Sequence, residues 1–136
     1  MRKSFVIAVV CASLAAWPVN AHHAFAAEFD ANRPLILKGK VVKWELVNPH
    51  SWIHLDVTGT DGKVVRWMVE GGSPNSLFRL GFDKNSLPKG TEIVVDGYQA
   101  KDGENRAVGK DLTFKDGKRL FMGGSAPGAS PDGKAQ

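Results

Sequence analysis

The sequence predicts an all-β protein, a five- or six-stranded antiparallel OB-like Greek-key barrel with one short helix between strands 3 and 4. Three observations predict it. Stretches of alternating apolar and polar residues recur between turns rich in Gly, Asp and Pro. The clearest helix-start signal, Ser73-Pro74, falls between the third and fourth stretches. A sheet of so few strands must close on itself to hide its edges. An immunoglobulin-like sandwich would instead need about seven strands and no helix at this point.

The first segment reads as a secretory leader, residues 1–21. Arg2 and Lys3 give a positive start, and Phe5 to Ala16 is an apolar run too short to anchor in a bilayer. Val19-Asn20-Ala21 offers small residues for cleavage after Ala21, with Ala24-Phe25-Ala26 as the competing site. Residues 22–34 follow as a histidine-bearing segment, and residues 35–122 should form the barrel.

Leu35 to Val47 reads as the first strand. Its alternation slips at Val41-Val42 near Gly39, which predicts a bulge or sharp bend. Asn48-Pro49 ends it, because proline has no N–H to give to a ladder. Ser51 to Thr58 alternates cleanly, with Ile53, Leu55 and Val57 against Trp52, His54 and Asp56. Gly59 to Gly62 turns the chain into Lys63 to Glu70. Ser73 caps a short helix with Leu77, Phe78 and Leu80 as its buried stripe and Gly81 as its stop. Thr91 to Ala100, Arg106 to Phe114 and Arg119 to Met122 supply the remaining strands. From Gly123 the composition turns to Gly, Ser, Pro and Ala, so residues 123–136 read as a disordered tail.

Composition narrows the function. The chain of 136 residues carries 18 Lys+Arg, 14 Asp+Glu, four His and one Cys. Arg2, Lys3 and Cys11 would leave with the leader, so the mature chain has no thiol and a nearly balanced charge. That balance, together with export, argues against nucleic acid, even though Lys38, Lys40 and Lys43 form a basic stretch beside Trp44. No membrane insertion is expected after cleavage. The signatures of serine hydrolases, zinc proteases, CxxC redox proteins and P-loops are absent. Gly71-Gly72 ahead of a helix start could cradle an anion, but the helix cap explains Ser73 without one.

The histidines carry the one chemical signal. Cleavage after Ala21 would make His22 the first residue. A terminal histidine can offer its amine and ring Nδ1 to one metal, and a second imidazole completes a three-nitrogen brace suited to copper. His23, His50 or His54 could complete it; the competing reading is a frayed, solvated end. If both lay in one straight strand, His50 and His54 would stand about 13 Å apart, too far to share an ion easily; the alternative is that His50, which follows Pro49, sits on a bend. If Thr58 pairs with Val64, then Asp56 faces Arg66, His54 faces Met68 and Trp52 faces Glu70. An imidazole beside a thioether is a possible second site favouring Cu(I), with Trp52 and Trp67 as bordering aromatics. The plainer alternative is an exposed histidine beside a gap-filling methionine.

The architecture is similar to that of the small periplasmic copper/silver chaperones, OB-type barrels whose site uses a histidine, two methionines and a tryptophan on neighbouring strands. His54, Met68 and Trp67 or Trp52 match those types, but Glu70 stands where a second methionine would be. The segments HHAFAAEFD (22–30), NPHSWIHLDV (48–57) and WMVEGGSPNSLFRLGF (67–82) resemble a family of small secreted bacterial proteins classed only as a domain of unknown function. That resemblance implies no activity. It implies that the histidine pair and the Asn-Pro-His segment work together, with the chain start folded over the barrel. Glu28 and Asp30 then become candidate partners for imidazole N–H groups, the alternative being ordinary solvated carboxylates.

The expectation is therefore a periplasmic or secreted metal-binding protein, with copper as cofactor, engaged in binding or delivery rather than catalysis. A partner protein for delivery would fit that role. The rival is a barrel without metal that binds a partner protein, a glycan or a small ligand. A copper oxidase or oxygenase ranks last, since nothing marks a substrate cleft.

Overall fold

The structure, a computed structural model, describes residues 19–128, with side chains described from Ala24 onward. Residues 1–18 of the expected leader, Cys11 among them, and residues 129–136 of the expected tail lie outside the described residues. The elements run α1 (Val19–Glu28), β1 (Phe29–Glu45), β2 (Trp52–Thr58), β3 (Val64–Glu70), α2 (Pro74–Arg79), β4 (Glu92–Ala100), β5 (Arg106–Phe114) and β6 (Arg119–Phe121).

The strands form the predicted OB-like barrel. β1 pairs with β2 on one side and β4 on the other, β2 with β3, and β4 with β5. The ring closes where β3 meets β5, through Met68↔Arg106, Val69↔Ala107 and Glu70↔Val108. That seam is parallel, whereas the other pairings are antiparallel as expected. Parallel neighbours need a long crossover, and α2 with β4 supplies it. β6 extends the sheet beyond β5.

One strand serves both halves of the ring because it can bend. From Leu35 to Val41 β1 alternates, and it then shifts register against β2 between Val41 and Lys43, where the sequence predicted a bulge. Gly39 lies opposite both Val57 and Ile93. A Cβ there would sit 2.3 Å from the Asp56 carbonyl oxygen, so only glycine allows the approach.

The barrel is filled from every strand. Leu37, Val41, Ile53, Leu55, Val69, Ile93, Val95, Ala107 and Leu112 are buried together with Met122. α2 contributes Leu77 to this core. Ser73 caps α2 by accepting from the Ser76 N–H at 3.3 Å, and Pro74 opens it, as the sequence predicted. The expected stripe is narrower than predicted: Phe78 is 51% exposed. A helix of six residues turns less than twice, so Phe78, one position from Leu77, points away from the barrel. The Gly71-Gly72 pair spends its backbone on the fold rather than on an anion. Gly71 donates to the Ser51 carbonyl at 2.8 Å and Gly72 to the Met122 carbonyl at 2.7 Å.

Both ends of the described segment differ from expectation. α1 was not foreseen, and β1 starts at Phe29 rather than Leu35. Ala24, Ala26 and Ala27 favour helix, and two aromatics four positions apart hold it down. Phe25 and Phe29 are buried with Ala100, Val108 and Ala126 in a second cluster on the outside of the barrel. The Phe25 ring meets the Tyr98 ring edge-on at 5.5 Å. Burial of Ala126 in this cluster also means that residues 123–128 are seated, where composition predicted tail from Gly123. Their glycines fit a close crossing: a Cβ on Gly72 would stand 2.2 Å from the Gly123 carbonyl oxygen.

A candidate histidine-carboxylate site at one end of the barrel

The predicted β2–β3 register is observed residue for residue. Trp52 pairs with Glu70, His54 with Met68, Asp56 with Arg66 and Thr58 with Val64. Arg66 grips Asp56 through both carboxylate oxygens and holds that carboxyl below its usual range by direct hydrogen bonding. The pleat then puts Trp52, His54, Asp56, Met68 and Glu70 on one outer face. Trp67 takes the opposite side, partly buried against the core beside Leu55. It therefore does not border the face that carries His54 and Met68, as its nearness in sequence had suggested.

The two body histidines each take a separate carboxylate. His54 Nε2 lies 2.7 Å from Glu45 Oε2, one strand away on β1. Lys43 sits on the other Glu45 oxygen at 2.5 Å, and it, then His54, holds that carboxyl below the ordinary range. His50 precedes β2, and its Nδ1 lies 2.6 Å from Glu70 Oε1. Ser51 and Gly71–Gly72 continue the β2–β3 ladder past its last strand pair, which brings residue 50 diagonally onto residue 70. Met68 is 36% exposed beside His54.

Glu70 is the unusual member, a carboxylate only 4% exposed on an outer face. Trp52 and Val108 flank it across the two neighbouring strands. Burial, the largest cause, pushes its carboxyl above the ordinary value near 4.5; His50 opposes the rise, Glu28 adds to it and Arg106 opposes it. Glu28, at the end of α1, faces Arg106 at 3.6 Å, and Arg106 also holds Asp102 at 3.2 Å. Lys101 donates to the Ala26 carbonyl through its ammonium and to the Glu28 carbonyl through its backbone. The α1 terminus is thus fastened beside the His50–Glu70 pair.

The other predicted residues are distributed as follows. Asp30 accepts from the Asn32 N–H at 2.9 Å, a local turn contact of a solvated carboxylate. His22 and His23 lie in the backbone of α1, with side chains outside the described set. Their helix positions stand about 9 and 8 Å along the axis from Glu28. Among the described residues, no three His, Cys, Asp or Glu side chains are close enough to hold one ion. Sequence reasoning missed Glu70, Glu45 and Arg106 as working parts. Glu70 was legible in principle, since the predicted hairpin register already put it one step from His50.

The profile of a family of unknown function (DUF6152) matches residues 8–110. The chain belongs to that family. The match spans both histidine-carboxylate pairs, α1 and the barrel through most of β5, so the DUF6152 unit contains the whole candidate site. No curated protein gives a significant match to the sequence.

The raised Glu70 carboxyl makes a pH prediction with a definite sign. Between the ordinary value near 4.5 and its raised value, the folded state keeps a proton that the unfolded state has released. Stability contributed by this group therefore falls as pH rises through that window. Glu70→Gln removes the effect. In urea denaturation the variant should gain on the native protein as pH rises from 4.5, and the gap should level off above the raised value. A gap independent of pH would show Glu70 ionising as freely in the folded chain as in the unfolded one. Glu45 and Asp56, with lowered values, act in the opposite sense and are common to both proteins.

Proposed function

We propose that this is an exported, periplasmic metal-binding protein that holds copper for binding or delivery. The observation that carries the reading is His50 pinned through Nδ1 by a buried carboxylate. A histidine that ligates a metal commonly gives its other ring nitrogen to a carboxylate, which fixes the ring and raises its basicity. Here Nε2 of His50 is the nitrogen left to bind. Glu70 lies beside the fastened end of the helix whose backbone carries His22 and His23. Cleavage after Ala21 would add a free amine to His22, and amine with imidazole is a donor set that copper prefers.

The His54–Met68 pair is the lesser site in this reading. Its imidazole is oriented by Glu45 and its thioether is accessible, a pairing that suits Cu(I). It has the residue types of the periplasmic copper/silver chaperones without their second methionine.

Two measurements test the proposal together. The intact mass of the protein recovered from the periplasm should begin at His22. Titration of that protein with Cu(II) against a competing chelator should give one tight equivalent. A mature chain that starts elsewhere and ignores Cu(II), Cu(I) and Ag(I) would leave a barrel that binds a partner protein, a glycan or a small ligand without metal.

A further inference from the structure

The end of the barrel far from His50 carries a different feature. A hollow of about 790 Å³ opens on β1, the end of β2, the start of β3, the start of β4 and the end of β5. Small-molecule sites commonly measure about 300–1,000 Å³. Val64, Val94, Ile93 and Phe114 supply apolar lining, and Lys38, Lys40 and Lys115 supply cations. Val64 is 61% exposed there, an apolar side chain that a ligand would cover.

The charges are unequally matched. The two carboxylates of the hollow are already engaged: Asp56 by Arg66, and Glu92 by Lys115 at 3.2 Å. Among the described residues, no carboxylate lies within ion-pair distance of Lys38 or Lys40. Their field still reaches Glu92, whose carboxyl is held low first by Lys115 and then, weakly, by Lys40 and Lys38. Cross-strand pairing fixes the pattern, since Lys40 lies between Asp56 and Glu92, and Lys38 lies beside Val94. Two ammonium groups without partners therefore border an apolar surface.

We infer that this hollow binds a small organic anion with an apolar body, its acidic group set between Lys38 and Lys40 and its body against Val94, which cross-strand pairing puts on the same face as the two lysines. The site is independent of the proposed metal centre, being at the opposite end of the barrel. It also gives a role to part of the Lys38–Lys43 basic stretch, which near-neutral charge and export argue is not for nucleic acid.

The probe is 8-anilinonaphthalene-1-sulfonate, titrated into the folded mature protein and followed by its fluorescence. One saturable site is expected, weakened at least fivefold in Lys38→Met/Lys40→Met and unchanged in Lys84→Met, a lysine outside the hollow. The uncharged analogue N-phenyl-1-naphthylamine should bind at least fivefold more weakly than the sulfonate. His50→Ala should bind the sulfonate as the native protein does, so a failed metal centre and a failed anion site give different results. Absence of saturable binding, a loss below fivefold in the double variant, or equal binding of the neutral analogue would overturn the inference. Circular dichroism of the double variant keeps the comparison to folded protein, and both lysines are exposed enough for methionine to be accommodated.

Discussion

Gly39→Ala is expected to destabilise the barrel by about 3 kcal/mol, the upper part of the range for forcing volume into a packed site. The new Cβ would stand 2.3 Å from the Asp56 carbonyl oxygen, 2.9 Å from its carbon and 3.1 Å from Leu55 Cγ. The first two are backbone atoms of β2, so relief requires β1 and β2 to separate where Gly39 pairs with Val57. β4 pairs with the same residue on the other side through Ile93 and blocks movement that way. A loss of this size is a large share of the roughly 5–15 kcal/mol that holds a domain folded. Gly62→Ala is the control. That glycine has φ +78° and open space around its Cβ position, so it should cost only the left-handed backbone penalty of about 1–2 kcal/mol. Guanidinium denaturation of the two variants separates the effects. Equal losses would mean that the close approach of β1 to β2 is not what shapes the barrel.

The same strand shows how far the sequence could be read. The break in alternation at Val41-Val42 beside Gly39 gave the position of the bulge, because a one-residue slip in period 2 is visible in any strand with one buried face. The hairpin register followed from the Asp56–Arg66 ion pair, and with it the shared face of His54 and Met68. The parallel seam was not legible, since Met68↔Arg106 joins residues whose neighbours alternate equally well against an antiparallel partner. α1 was hidden because its stability comes from Phe25 and Phe29 meeting Tyr98 and Val108, far along the chain. Composition likewise failed at Ala126, a small residue whose burial depends on that distant cluster. At the candidate site, the histidines stood out as residue types. Their carboxylate partners did not, because ordinary Glu residues become distinctive only when the fold buries one of them.

The second large effect concerns copper. His50→Ala should weaken Cu(II) binding by about 100-fold or more, because it removes a ligand outright. Glu70→Gln should weaken it by roughly tenfold, the lower part of the range for loss of a carboxylate that orients a ligating histidine. The distinction matters: Gln can still hydrogen-bond the His50 ring, so the ring stays placed while the negative charge beside it is lost. His54→Ala should leave the tight Cu(II) equivalent in place, since His54 is held by Glu45 in a separate pair. Competition titrations on the three variants measure all of this. Equal losses in His50→Ala and His54→Ala would contradict a centre built on the His50–Glu70 pair apart from His54.

The central claim is that the free amine of His22 takes part in the site, and one added residue isolates it. The mature protein beginning at His22 is compared with the same protein carrying a single Gly in front of it, which leaves every side chain unchanged and moves the amine off the histidine. Cu(II) affinity should fall by about 100-fold, on the order of 2.7 kcal/mol, with unchanged thermal unfolding of the metal-free proteins. Identical affinity for the two chains would contradict the account.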